Sequence, residues 1–251
     1  MRTFIVGDIH GCNKALEQVL SKVNFDFEKD ILIQLGDVVD RGPESFECVE
    51  TLLKCKNLIA IKGNHDVCWW EGIKDNRTGI LDNQGGRETT LSYIKNCNPE
   101  KEHIQKMSGT YTTLELSDIP ESHIDFFNNQ LDYYIDKDNN CFVHGGFNRH
   151  HFIEDEIDKS IFYWDRDLLL AARSYEGMKN NIYSFKMKNQ FKKVFVGHTP
   201  TQYFNESIPQ KQANIWNLDT GCGKGEDCKL TIMNLKTEEH WQSDQIGELY
   251  K

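Results

Sequence analysis

The stretch Phe4-Ile5-Val6-Gly7-Asp8-Ile9-His10-Gly11 sets a short apolar run directly against a glycine, a carboxylate and an imidazole. The same construction returns twice. Ile31 to Leu35 runs into Gly36-Asp37-Val38-Val39-Asp40-Arg41-Gly42, and Leu58 to Ile61, after Lys62, runs into Gly63-Asn64-His65-Asp66. Apolar runs this short suit buried strands. Between them Leu16, Val19, Leu20 and Val23 fall at helical spacing, and Phe46, Val49 and Leu53 do much the same after Gly42-Pro43, where Pro followed by Glu44 suits a helix start. Strand, helix, strand at a spacing of roughly 30 residues is the βαβ unit, so residues 1–66 are expected to build parallel strands with covering helices.

Working outward, residues 67–130 turn polar and mostly helical in pattern, with loop punctuation at Gly79, Gly85-Gly86, Asn98-Pro99 and Ile119-Pro120. They read as a cap over the core. Strand-like runs return at Tyr133 to Ile135, Cys141 to Val143, Val194 to Val196, Ile215 to Leu218 and Leu230 to Leu235, the last alternating as a half-buried antiparallel strand does. With no internal repeat, low-complexity tract or linker, residues 1–251 read as a single α/β domain.

Composition narrows the function. With 29 basic against 39 acidic residues the formal charge is −10, which argues against broad nucleic-acid binding because such footprints need clustered Lys and Arg. No apolar run nears the ~20 residues that span a bilayer, and Met1 to Val6 leads at once into Gly7-Asp8 rather than into a signal-peptide core. The eight cysteines are spread without a C-x-x-C pair, which fits thiols of a reducing compartment; the expected location is cytoplasmic.

Two further runs end in polar groups: Phe142-Val143 in His144-Gly145-Gly146, and Val194 to Val196 in Gly197-His198-Thr199. In open α/β sheets functional groups collect outside the carboxyl ends of the strands, so all five tips can converge. Asp8, His10, Asp37, Asn64, His144 and His198 then offer carboxylate, amide and imidazole donors, a mixture that suits Mn, Fe or Zn and lacks the thiolates of a structural zinc site. Six ligands are too many for one catalytic ion with open positions. Two ions fit better, with a shared water acidified into a nucleophile, and Asp37, in the middle of the first three strands, is the natural bridge. Each residue alone has an ordinary alternative, as turn residue, helix cap or core histidine. The set of five does not.

G-D-x-H-G, G-D-x-x-D-R-G and G-N-H-D, followed by H-G-G and G-H-T, resemble the calcineurin-like metallophosphoesterases, in particular the phosphoprotein phosphatase superfamily in its bacterial and phage form. The resemblance spans residues 7–199, with a plausible tail at Leu218-Asp219-Thr220-Gly221-Cys222-Gly223. It implies an αββα sandwich of two mixed β-sheets flanked by helices. It also implies that Asp8, His10 and Asp37 hold one ion and that Asp37, Asn64, His144 and His198 hold the other. Phosphoester hydrolysis needs cations around the phosphate and a proton for the leaving group. Arg41 can give a bidentate guanidinium clamp, and Arg166 in Trp164-Asp165-Arg166 resembles the family's second phosphate arginine. His65, beside the ligand Asn64, is free to protonate the leaving oxygen, with Asp40 bonded to it and favouring its charged form.

Three functions follow in order. The first is a dinuclear-metal serine/threonine protein phosphatase using a metal-bridging hydroxide, most simply with two Mn2+ ions, acting on phosphorylated protein or another phosphate ester. The second is a symmetric dinucleoside tetraphosphate hydrolase, since bacterial relatives with that activity share all five motifs; Asp40 favours the phosphatase, because the nucleotide branch often replaces that aspartate. A catalytically silent phosphate-binding module is third, and would have no need of His65. Trp69-Trp70 are expected to pack under the cap, Arg149-His150-His151 to be solvated, and Gly221 to Gly225 to lack the spacing of a P-loop.

Overall fold

A computed structural model describes residues 1–75, 84–101, 103–106, 109–112, 114–177 and 185–251. β1 (Thr3–Val6), β2 (Ile31–Gln34) and β3 (Asn57–Ala60) lie parallel, with α1 (Asn13–Lys22) and α2 (Ser45–Leu53) as the crossovers. This is the βαβ unit expected from the spacing. One detail differs. Leu53 is 39% exposed, because a helix beginning at Ser45 puts Cys48, Val49 and Leu52 on its buried stripe and turns Leu53 off it.

The chain continues through α3 (Asn64–Lys74), α4 (Gly86–Cys97), a two-stranded antiparallel ribbon of β4 (His103–Lys106) and β5 (Gly109–Thr112), and α5 (Glu121–Asn129). α4 and α5 pack against α2 and so cover its outer face. The ribbon stands where only helix and loop were expected; its strands, HIQK and GTYT, carry too few apolar side chains to announce themselves. The loop expected at Gly79 falls outside the described residues. Trp69 and Trp70 are buried, Trp69 against Tyr93 and Trp70 stacked on Phe127 at 5.2 Å, which is the packing role expected of them.

A second sheet follows. β6 (Tyr133–Ile135) pairs with β7 (Asn140–Val143); after α6 (Ile161–Trp164) and α7 (Asp167–Gly177) come β8 (Lys193–Val196), β9 (Gln210–Gln212) and β10 (Ile215–Asn217), in the order β6-β7-β8-β10-β9. β11 (Thr231–Asn234) then returns to the first sheet antiparallel to β1, β12 (His240–Gln242) closes its edge, and α8 (Ile246–Leu249) packs on α1. Both sheets therefore mix parallel and antiparallel pairs.

Strand alternation sorts the core into three layers. Phe4, Val6, Leu32 and Ile232 face α1 and α2, whereas Ile5, Ile33 and Met233 face the other sheet. In the second sheet Cys141, Val143, Val194 and Val196 face α7, while Phe142 and Phe195 point inward and stack at 5.1 Å. Full burial of each such phenylalanine contributes about 1.5–3 kcal/mol. The two sheets are thus fastened face to face with helices outside, the αββα sandwich that the resemblance implied.

Candidate metal centre and active site

The tips of β1, β2, β3, β7 and β8 meet at one end of the sandwich. The backbone there is held in an unusual state: His10, Asp37, Asp40, Arg41 and His198 are all left-handed, with φ between 49° and 72°, five of the eleven such non-glycine residues among those described. Each costs on the order of 1–3 kcal/mol, so the surrounding structure must hold it. Close packing helps to do so. Gly63 leaves room where a Cβ would lie 2.1 Å from the Asp37 amide nitrogen, and Gly197 where one would lie 2.2 Å from Asp8 Oδ1.

The six expected ligand residues are buried, and the structure brings them together. Asp37 is common to two groupings of donor atoms, one with His10 and His65 and the other with His144 and His198, the atoms of each lying within 4.8 Å of one another. Asp37 Oδ2 is 3.5 Å from His10 Nε2 and 3.4 Å from His144 Nε2, and Asn64 Oδ1 is 3.2 Å from His144 Nε2. Asp8 accepts the His198 amide N–H at 3.1 Å, which ties the tip of β1 to that of β8.

This donor set fits divalent cations. His10 Nδ1 donates to the Val39 carbonyl at 2.9 Å, and His144 Nδ1 to that of Leu35 at 2.7 Å, so in the neutral rings Nε2 carries the lone pair. Those lone pairs point toward Asp37. His10 Nε2 is buried with no hydrogen-bond partner at all, an arrangement that is costly unless a cation meets it.

The phosphate-handling residues lie beside this cluster. His65 Nδ1 donates to Asp40 Oδ2 at 2.7 Å, and Arg41 Nη2 approaches His65 Nε2 to 3.0 Å, so the guanidinium and the imidazole face one space. Asp40 is fixed in turn by Thr89, whose hydroxyl donates to Asp40 Oδ1 at 2.8 Å and accepts the Asp40 amide N–H at 2.7 Å. Arg166, in the connection between α6 and α7, donates through Nη1 to His198 Nε2. All ten sequence-derived positions therefore gather at one end of the sandwich.

The sequence pattern that defines the calcineurin-like phosphoesterases matches residues 1–202. The chain belongs to that family. Among curated proteins it is 35% identical over 98 residues to a symmetrical bis(5'-nucleosyl)-tetraphosphatase of Buchnera aphidicola subsp. Baizongia pistaciae, covering 38% of this chain and 35% of that protein. It is 43% identical over 63 residues to serine/threonine-protein phosphatase 1 of Salmonella typhimurium, covering 25% of this chain and 29% of that protein. The chain thus aligns with about a third of each relative's length. A serine/threonine phosphatase structure from Saccharomyces cerevisiae superposes with a TM-score of 0.57 at 14% identity, covering 97% of this chain and 80% of that one, a likeness of fold.

Calcineurin-like phosphoesterases carry a dinuclear divalent metal centre, and burial is the first influence on the groups that would hold it here. Burial, and then the neighbouring Asp219 carboxylate, push the Asp8 carboxyl well up. Burial opposes charge on His144, but the carboxylates of Asp37 and Asp8 overcome it and carry the ring up to about 10. Burial, followed by the charge of His144, drives His198 down to about 2, and burial with the Arg41 charge keeps His10 well below the usual imidazole range. Among the metal-free rings, only His144 is thus shifted toward holding a proton.

Three residues with no role assigned from sequence hold this calcineurin-like site in shape. Asp66, at the third position of α3, accepts the amide N–H groups of Asp37, Val38 and Gly63 at 2.8–3.1 Å and that of Val39 at 3.3 Å. Gln130 Nε2 donates to the same carboxylate at 3.0 Å. Asp219, buried after β10, accepts the Gly221 N–H at 2.9 Å and is the largest charge acting on Asp8. An acid three residues beyond Gly63 is a readable helix-start signal for Asp66; Gln130 carries none.

Proposed function

We propose that the chain is a dinuclear-metal phosphomonoesterase that removes phosphate from phosphoserine and phosphothreonine in proteins. One observation carries the reading: the 2.7 Å bond between His65 Nδ1 and Asp40 Oδ2, with His65 Nε2 directed at Arg41. An alkoxide is a poor leaving group and needs a proton as its bond to phosphorus breaks. A nucleotide leaving from a polyphosphate departs as a stabilised anion and needs that proton far less.

In this reading Asp8, His10 and Asp37 hold one divalent ion, Asp37, Asn64, His144 and His198 hold the other, and Mn2+ is the metal, with Fe and Zn suited to the same donors. Such a pair, when bound, neutralises phosphate charge and makes water acidic enough to supply a nucleophile at neutral pH. Arg41 clamps the phosphate oxygens by a two-pronged guanidinium contact, and Arg166 reaches them from the connection between α6 and α7. His65 Nε2 is the atom placed to pass a proton to the leaving oxygen, once a bound phosphate draws the Arg41 guanidinium away from it. Asp40 fixes the ring through Nδ1. The eight free cysteines support a cytoplasmic setting, and no helix among the described residues is long and apolar enough to cross a membrane.

A symmetric dinucleoside tetraphosphate hydrolase is the second reading, supported by the likeness to the Buchnera relative that bears that activity's name. Turnover of a phosphoserine peptide and of diadenosine tetraphosphate, measured side by side with Mn2+, tests the choice. A higher kcat/KM on the peptide is expected; a higher value on the dinucleotide overturns the phosphatase reading in favour of the second. A metal-loaded protein inert toward both would instead be a phosphate-binding module.

A further inference from the structure

We propose that Tyr203 and Lys224 form a second anion subsite at the rim of the metal cavity, which reads a negative group carried by the substrate beyond its scissile phosphate. The inference rests on the phosphoester-hydrolase reading and adds a specificity element to it.

The placement comes from two loops. Tyr203 lies on the short helical turn Thr201–Phe204, just after His198 and Pro200, and Lys224 lies in the connection between β10 and β11. The Thr201 amide donates to the Asp219 carbonyl at 2.9 Å and Gln202 Nε2 to that of Thr220 at 2.7 Å, which binds the loops into one wall. Gly223 presses that wall onto the site: it is left-handed, φ 72°, and a Cβ there would lie 2.7 Å from the Cβ of His10 and 3.3 Å from that of Arg41. The next residue, Lys224, donates its amide N–H to the Gly221 carbonyl at 2.9 Å, which fixes the turn that carries it.

The chemistry comes from what this pair does not contact. Lys224 Nζ donates to the Tyr203 hydroxyl at 2.6 Å and sits 4.0 Å from the centre of its ring. Among the described residues no carboxylate lies in ion-pair contact with it, although the exposed Glu226 and Asp227 follow two and three positions on. In a chain of net charge −10, this leaves an exposed ammonium with a neutral partner. Tyr203 is 60% exposed, so its ring offers an apolar face beside the charge. The Lys224 contact, and more weakly the charges of Arg166 and Arg41, lower its hydroxyl pKa, so the pair lies within the electrostatic reach of both arginines.

With two divalent ions bound, Arg41 and Arg166 would complete the neutralisation of a monoester phosphate. Lys224 is surplus to that task. A second negative group on the same substrate would meet it, either the carboxylate of an acidic residue beside the phosphoserine or another phosphoryl group in a polyphosphate.

The test compares the intact chain with Lys224→Ala, Lys224→Arg and Tyr203→Phe on four substrates: p-nitrophenyl phosphate, a phosphoserine peptide flanked by alanine, the same peptide flanked by aspartate, and diadenosine tetraphosphate. Lys224→Ala is expected to raise KM about fivefold for the substrates with a second anion and to leave kcat unchanged. It should leave both parameters for p-nitrophenyl phosphate and the alanine-flanked peptide as they were. Lys224→Arg should restore the preference, and Tyr203→Phe should weaken it by freeing the ammonium. An effect on the aspartate peptide alone identifies a carboxylate as the second group, and one on the dinucleotide alone identifies a phosphoryl group. Unchanged KM throughout, or an equal rise for p-nitrophenyl phosphate, overturns the subsite. Calorimetric binding of the two peptides gives the same comparison without turnover, so an inert protein would refute the hydrolase reading while the binding difference still decides the subsite.

Discussion

His144 and Asp37 meet with Nε2 of the ring 3.4 Å from Oδ2 of the carboxylate, while Nδ1 of the same ring is committed to the Leu35 carbonyl at 2.7 Å. The carbonyl can only accept, so Nδ1 carries a hydrogen and Nε2 must face the carboxylate with either a proton or a metal. The two compete for one position. That competition links metal binding to pH.

Metal binding at pH 7 should therefore release a proton from His144. The Asp37 and Asp8 carboxylates hold the metal-free ring up to about 10, while His10 and His198 are already neutral. Apparent affinity should rise about tenfold per pH unit on this account until His144 loses its proton. Calorimetry in buffers of different ionisation enthalpy measures the release, and His144→Gln separates it from any proton that the raised Asp8 carboxyl gives up; an equal release from both proteins would mean that His144 loses none.

The same group sets the pH response of the metal-free protein. Its folded pKa lies above the ordinary imidazole value of about 6.5, so it contributes stability that is fully present below that pH and is lost as pH rises through about 10. Urea unfolding of chelator-treated protein between pH 6 and pH 10, against His144→Gln, isolates the contribution. The two slopes should differ, with the parent losing more stability as pH rises.

His65→Asn should retain metal and lose about 10²–10⁴ in kcat on a phosphoserine peptide, the range of general-acid contributions. The loss on p-nitrophenyl phosphate should be smaller, because nitrophenolate leaves well without a proton. Equal losses on both substrates would place His65 in phosphate binding rather than proton transfer.

Asp66→Asn should destabilise the fold by about 2–4 kcal/mol, since an amide cannot accept every N–H that the carboxylate holds and turns a donor toward those donors. Asp37, Val38 and Val39 lose their anchor together, so metal affinity should fall as well. Chemical denaturation with and without metal separates the two effects.

Much of this site was legible because each motif sits at the end of an apolar run, where strand pattern and chemistry can be read together. Asp8, Asp37, Asn64, His144 and His198 all follow such runs, and strand termini of a parallel unit share one end. What was illegible has physical causes. The edge strands Gln210–Gln212 and His240–Gln242 have too few apolar residues to show alternation, being paired on one side only. Gln130 and Thr89 act through bonds to residues 64 and 49 positions away, a relation that local patterning cannot contain. Asp219 was visible as part of a tail motif, but its role depends on β10 lying beside β8, which brings it up to Asp8.

In the proposed site Asp37 is shared by two cations. Elemental analysis of the purified, Mn2+-reconstituted protein, alongside Asp37→Asn, counts the ions that Asp37 shares. The parent should hold two ions per chain and the variant should lose occupancy of both. A parent with a single ion, or a variant that loses only one of two, would contradict the account.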